Sequence, residues 1–433
     1  MNRYFLIFCI ISLLISCTSD IKTQAIKENT HKEISIELPK EFIKDLKKNL
    51  ITEIDSQNTN HTYLKLISND NTGIDFENNI IEDEYRNHKS YKQYYIGGGV
   101  AVGDLNNDGL PDIYFAGNSV KDKIYFNTGN FTFKDVTEET GIATQNYGWT
   151  FGVNMVDVNA DGFLDIYVCK AGPYSEQKYL WNRLFINNGD GTFKEDAASY
   201  GLNISTYSVQ STFFDYDKDG DLDMYLINHP LPGTHDKLTK NLNEYVSLIK
   251  NGVIRTDNFY ENIDGKYVDK TDAANLVNYG YKNSVGVGDL NNDGYPDLYV
   301  CTDYSEPDLY YVNNGNKTFT NKIEEKMNHI PFSSMGNDFS DINNDGNIDL
   351  FVVDMAPSDH VLSKVFMPTM DPDKFNAFVD LGFHHQNMLN TLQLNNGDHT
   401  FSEIAQLSGI AKTDWSWAPL FFDIDLDGNK DLF

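Results

Sequence analysis

DLNNDGLPD, from Asp104 to Asp112, returns five times along the chain on one skeleton: DVNADGFLD from Asp157, DYDKDGDLD from Asp215, DLNNDGYPD from Asp289, DINNDGNID from Asp341 and DIDLDGNKD from Asp423. Each copy has Asp at positions 1, 5 and 9, Asp or Asn at position 3, and Gly at position 6. The six starts lie about 64 residues apart on average, the size of a large propeller blade and too long for a helical repeat.

Oxygen-bearing side chains at alternating positions around a glycine turn suit a hard cation such as Ca²⁺, which gathers about six to eight oxygens in a flexible shell. The side chains offered are Asp104, Asn106, Asp108 and Asp112 in the first loop, Asp157, Asn159, Asp161 and Asp165 in the second, and Asp215, Asp217, Asp219 and Asp223 in the third. The fourth loop offers Asp289, Asn291, Asp293 and Asp297, the fifth Asp341, Asn343, Asp345 and Asp349, and the sixth Asp423, Asp425, Asp427 and Asp431. Position 7 varies among Leu110, Phe163, Asp221, Tyr295, Asn347 and Asn429, as expected of a residue that contributes only its backbone carbonyl. An EF-hand is excluded, because it needs a bidentate Glu at position 12, where this chain carries Phe115, Val168, Leu226, Val300 and Val352.

Each loop runs into a strand-like segment such as DIYF, DIYV or DLYV, with an aromatic at position 11 in all six copies (Tyr114, Tyr167, Tyr225, Tyr299, Phe351 and Phe433). The loop therefore reads as a hairpin connection between two largely buried strands. A second hairpin signal follows, with Asn and Gly between alternating aromatics: IYFNTGNFTFKDV from Ile124, LFINNGDGTFKED from Leu184, FYENIDGKYVDKT from Phe259, LYYVNNGNKTFTN from Leu309 and LQLNNGDHTFSEI from Leu392. Each repeat thus reads as four strands in two hairpins, and the chain as an all-β protein.

These loops and the NNG-x-TF hairpins resemble the FG-GAP/VCBS repeat of integrin-α-type β-propellers, and in particular the bacterial branch related to cartilage acidic protein, whose longer members carry an ASPIC/UnbV domain. The likeness runs from about Tyr63 to Phe433 and includes TGIDF at Thr72–Phe76, GGGVAVGDLNNDG from Gly97 and DWSWAPLFFDIDLDG from Asp414. It implies a propeller of about seven blades with six calcium loops, the last blade incomplete at Phe433 and the ASPIC/UnbV domain missing. Gly73 matches Gly141, Gly201 and Gly409 in TGIA, YGLN and SGIA, so TGIDF reads as the end of a blade.

Arg3 followed by the apolar run YFLIFCIISLLI from Tyr4 to Ile15 reads as a secretory signal, and Leu14-Ile15-Ser16-Cys17 resembles a bacterial lipobox. Residues 1–17 are then a lipoprotein signal with Cys17 the lipidated residue, 18–61 a polar tether with one short helix carrying Phe42, Leu46, Leu50 and Ile54, and 62–433 the propeller. The expected location is the bacterial cell envelope, at the outer membrane or cell surface. With 64 acidic against 34 basic residues and a formal charge of −30, the chain repels a phosphate backbone, so nucleic acid is not an expected partner. The remaining cysteines, Cys169 and Cys301, each fall four residues after a final loop Asp and are expected to stay unpaired packing groups.

Two segments lengthen the third and fifth repeats, Asn228–Asp257 and Asp354–Asn390, and excursions of this kind from a rigid scaffold are where binding surfaces sit. His384 and His385 lie in the second, but adjacent strand residues point oppositely and no HExxH accompanies them. No GxSxG, P-loop or Cys–His pairing at motif spacing is present, and no catalytic residue is assigned. The sequence reads as a surface-anchored, calcium-stabilised module for an extracellular glycan or protein, in adhesion or nutrient capture; the alternative is a propeller-based polysaccharide lyase or glycoside hydrolase, which would need further carboxylates converging in a cleft.

Overall fold

The computed structural model describes residues 64–144, 148–173, 176–365 and 372–433. The signal segment, Cys17, the tether and the helix expected around Phe42 lie outside these residues.

Among the described residues, five four-stranded antiparallel sheets follow one another, each beginning on one side of a loop. In the first, Val100–Gly103 pairs with Asp112–Phe115, which pairs with Lys123–Asn127, which pairs with Phe133–Asp135. The same order recurs from Trp149 to Glu195, Ser208 to Asp269, Tyr281 to Asn321 and Asn337 to Glu403, and the sixth loop joins Phe421–Phe422 to Asp431–Leu432. Position 9 closes the loop hairpin every time, as in Gly103 opposite Asp112 and Ser340 opposite Asp349.

The second strands of the second to fifth sheets are buried on both faces, because the sheets pack face to face, while that of the first, Asp112–Phe115, alternates between buried and half-buried. Tyr167 and Cys169 of the second sheet share a core with Met224, Leu226 and Tyr260 of the third. Phe214, Tyr225 and Phe259 share the next with Leu298, Val300 and Tyr311. The first strands are covered less fully than the sequence leads one to expect, Val100–Gly103 alternating between exposed and half-buried. They meet each other through small residues: a Cβ on Gly152 would lie 2.5 Å from the Val209 carbonyl oxygen, and one on Gly286 would strike the Phe339 ring. This succession of sheets packed through their faces is a propeller-like, all-β architecture.

Away from the loops a second device repeats. The residue just before each third strand caps the end of the second: Oδ1 of Asp122, Asn182, Asp257, Asp308 and Asn390 accepts the backbone N–H of Gly117, Lys170, Asn228, Thr302 and Asp354, at 2.7 to 3.0 Å. The position-11 tyrosines bond the same residues. Tyr114 donates to Asp122 at 2.6 Å, Tyr225 to Asp257 at 2.9 Å and Tyr299 to Asp308 at 2.7 Å, while Asn182 donates to the Tyr167 hydroxyl at 3.0 Å. Where position 11 is Phe351, the capping residue is the neutral Asn390.

Gly73 of TGIDF shares its backbone conformation with glycines it matches. Gly73, Gly141 and Gly201 all take φ near +80°, and a Cβ there would approach the carbonyl oxygen of Phe133, Phe193 and Tyr267, each in a fourth strand. Cys169 and Cys301 are free and buried in separate sheets, and each meets a polar residue on the next first strand, Ser211 at 3.7 Å and Asn337 at 3.1 Å.

The two insertions, separate in sequence, fold together. Helix Leu242–Lys250 of the first and helix Pro372–Asp380 of the second join a cluster of Val246, Phe378 and Phe383, flanked by Leu242, Ile249 and Leu381. Lys250 Nζ donates to the Leu381 carbonyl oxygen at 2.9 Å. His384 is buried and His385 exposed, so the pair presents no joint face.

Candidate metal centres

All six loops share one backbone path. Position 6 is a glycine with φ between 85° and 96°, the left-handed region a Cβ disfavours. Position 4 is also left-handed, with φ between 55° and 64°, although it is never glycine: Asn107, Ala160, Lys218, Asn292, Asn344 and Leu426. Sequence reasoning missed this position because only three of its six residues are Asn, the non-glycine best suited to that conformation.

This path wraps backbone N–H groups around the first carboxylate. The position-6 N–H donates to Oδ2 of Asp104, Asp157, Asp215, Asp289, Asp341 and Asp423 at 2.7 to 3.1 Å, and the position-5 N–H donates to Oδ1 of the same residues. Position 5 accepts in turn from the position-7 N–H, as Asp108 does from Leu110 and Asp427 from Asn429, both within 2.9 Å. The side chains of positions 1 and 5 are therefore held in place by the loop itself.

Position 9 has a different character. Asp112, Asp165, Asp223, Asp297 and Asp349 are almost fully buried, and Oδ1 of each accepts the N–H of a third-strand asparagine at 2.8 Å: Asn127, Asn187, Asn262, Asn313 and Asn395. Three of these asparagines then donate to a loop of the preceding sheet, Asn187 to the Leu105 carbonyl, Asn313 to that of Tyr216 and Asn395 to that of Leu290, each at 2.8 Å. Burial pushes the Asp165 carboxyl up to about 6, Asp297 to about 7 and Asp223 to about 8, with the neighbouring loop carboxylates adding to each.

Asp215, Asp217 and Asp223 bring carboxylate oxygens within 4.8 Å of one another, and so do Asp423, Asp425 and Asp431. These are positions 1, 3 and 9, three of the four predicted to supply side chains, and in both triads they form a group that could hold a metal ion. In the other four loops position 3 is Asn106, Asn159, Asn291 or Asn343, and its amide donates to the position-5 carboxylate at 2.9 to 3.1 Å. The third loop also has a cationic neighbour that the sequence did not reveal: Lys317 Nζ lies 2.6 Å from Asp217 and 2.5 Å from Glu261. Of the position-7 side chains, Asp221 has an Oδ1 without a hydrogen-bond partner, and burial together with Asp219 and Asp217 pushes its carboxyl up to about 6.

A family model described as FG-GAP-like repeat matches residues 104–168, 174–226 and 289–352. These three segments are similar to FG-GAP-like repeats. The first and third matched segments each contain two full loops and the second contains one. Among solved structures the FG-GAP-like repeats have distant likenesses. One is an Agrocybe aegerita lectin whose structure describes recognition of non-reducing terminal N-acetylglucosamine, at 16% identity and a TM-score of 0.40, covering 77% of this chain and 73% of that one. Another is the V. cholerae biofilm matrix protein Bap1, at 12% identity and a TM-score of 0.37, covering 70% and 38%. A third is the Photorhabdus luminescens Tc holotoxin pore, at 12% identity and a TM-score of 0.32, covering 77% and 13%. A comparison with the curated proteins found no match.

Proposed function

We propose that this protein is a calcium-stabilised binding module for an extracellular glycan or protein, acting in adhesion or nutrient capture, with the six Asp loops as structural calcium sites. The carrying observation is the convergence of positions 1, 3 and 9 in the third and sixth loops, on a path that recurs in all six. A hard dication satisfies several carboxylates at once and removes the repulsion among them, and the variable seventh residue leaves its carbonyl to complete the shell. The ligands are Asp, or Asp and Asn, at positions 1, 3, 5 and 9 of each loop.

The calcium loops hold the sheets together, and the helical cap of the two insertions supplies a surface that the regular repeats do not. The lipobox ending at Cys17 is the basis for placing the mature protein on a membrane at the outer face of the cell envelope. Incubating the purified mature chain with a polysaccharide panel in excess Ca²⁺ tests this reading. Retention without new reducing or unsaturated ends is the expected result; new ends would instead make the protein a lyase or hydrolase, and no retention by any polysaccharide or surface protein would remove the binding role.

A further inference from the structure

Beneath the helical cap lies a cavity of about 310 Å³ that no loop contributes to. Ile249 and Lys250 of the first insertion and Gly382 and Phe383 of the second line one part, and Asn278, Tyr279 and Glu306 of the sheet connections, with Lys282 of the fourth sheet's first strand, line the other. Glu306, Tyr279 and Asn278 are 2%, 5% and 8% exposed. Three of their polar atoms have no hydrogen-bond partner: Glu306 Oε2, Asn278 Oδ1 and the Tyr279 hydroxyl. Buried polar atoms are nearly always paired, so three bare ones around a single cavity point to a guest with complementary groups.

The rest of the site is held rigidly. Glu306 Oε1 accepts from the Tyr245 hydroxyl and lies 3.3 Å from His235 Nε2, both residues belonging to the first insertion, which leaves Oε2 as the free acceptor. Asn278 Nδ2 donates to the Tyr225 hydroxyl at 2.9 Å and to the Leu276 carbonyl at 3.1 Å, fixing which end of the amide is free. Lys282 Nζ donates to the Tyr279 carbonyl at 3.2 Å and to Thr302 Oγ1 at 3.0 Å, so one of its three hydrogens remains.

We propose that this cavity is a saccharide subsite for a single neutral pyranose ring, which deepens and rests on the binding-module reading above. Its two free acceptors require hydroxyl donors, Lys282 and Tyr279 supply donors in return, and Val277 and Phe383 give apolar wall for the C–H face of a ring. A cation would meet Lys282 and Lys250, and an anion would meet Glu306, so a neutral polyol is the class that offends neither. The volume sits at the small end of ligand cavities, which fits one ring and excludes a chain of several.

Saturation-transfer NMR on the full chain in excess Ca²⁺, with the methyl pyranosides of glucose, galactose, mannose and xylose as probes, tests the subsite. At least one pyranoside should bind, with a dissociation constant of about 1 mM. Val277→Phe, which fills the cavity without removing a hydrogen bond, should weaken it at least tenfold, and Glu306→Gln, which turns the free acceptor into a donor, should do the same. Transfer to none of the four probes, or equal transfer with both variants, overturns the subsite and means that ordered water alone satisfies these atoms. A wild-type chain that is retained by a polysaccharide, with Val277→Phe retained equally, overturns the subsite while leaving the binding-module reading intact.

Discussion

Asn292 donates its side-chain amide to Oδ1 of Asn347 at 2.8 Å, joining position 4 of the fourth loop to position 7 of the fifth. The same link runs from Asn344 to Asn429 at 3.1 Å and, as a cation held 3.9 Å above a ring, from Lys218 to Tyr295, while Asn107 reaches the carbonyl one residue earlier, that of Gly162 at position 6, at 3.1 Å. One link in the series has no such donor. Position 4 of the second loop is Ala160, and the Asp221 carboxylate it would face in the third has an unpartnered oxygen.

Ala160→Asn should therefore stabilise the protein by about 1 kcal/mol, since Asn tolerates the left-handed backbone better than Ala and its amide can reach Asp221. Chemical denaturation of the two proteins at fixed Ca²⁺ is the check. A midpoint that does not rise would mean that these amide links contribute nothing.

Two aspartates of the third loop should separate metal binding from architecture. Asp223 accepts from Tyr216 and Asn262 N–H groups inside the sheet, so Asp223→Ala should cost about 2–4 kcal/mol even in chelator, and more in Ca²⁺. Asp219 accepts the exposed N–H of Asp221, so Asp219→Ala should cost less than about 1 kcal/mol in chelator and distinctly more in Ca²⁺. Calorimetry of both variants in the two conditions decides whether position 5 is a ligand.

The loops and hairpins were legible because their chemistry is carried by side chains at fixed spacing: a Gly at position 6 and an Asp at position 9 can only serve one turn and one strand entry. The capping residues Asp122, Asn182, Asp257, Asp308 and Asn390 were missed because the connection before each third strand varies in length, so they keep no constant distance from the loop. A signal was present in the acidic or amide residue immediately preceding KIYF-like runs. The joint cap escaped because helices Leu242–Lys250 and Pro372–Asp380 each show an apolar face without naming its partner, and the cavity beneath them depends on that pairing.

Tyr299→Phe tests the capping device. It removes a donor from Asp308, a buried carboxylate whose remaining partners are Ser334, the Thr302 N–H and the nearby Lys282, and should cost about 1–3 kcal/mol. Adding Asp308→Asn recreates the Phe351–Asn390 pairing of the fifth sheet, so the double variant should lose less than the two single losses together. Strict additivity in a double-mutant cycle would show that the tyrosine and the aspartate act independently.

His229 gives the fold a pH dependence of known sign. It is buried, its ring bonds the Lys282 carbonyl at 2.9 Å, and burial pushes it from 6.5 down to about 4, with that carbonyl pulling weakly the other way. The unfolded chain therefore takes up a proton at a pH where the folded chain does not, and stability present above pH 6.5 drains away as pH falls toward 4, by about 3 kcal/mol. Asp257 and Asp308, pushed up to about 6, act in the opposite direction, so the comparison must be with His229→Gln, which retains the donor. The difference between the two stability curves should grow in favour of the variant between pH 6.5 and 4; parallel curves would contradict the assignment.

Thermal unfolding of the purified protein in excess Ca²⁺ and in excess chelator, with elemental analysis of the same sample, reads whether Ca²⁺ in the six loops stabilises this fold. Six dications would bring the formal charge from −30 to about −18, and each site contributes about 2.7 kcal/mol when free Ca²⁺ exceeds its dissociation constant a hundredfold. Several Ca²⁺ per chain and a melting temperature lower by at least about 10 °C in chelator are expected. An identical melting curve in both conditions, with no calcium found in the protein, would contradict stabilisation by Ca²⁺.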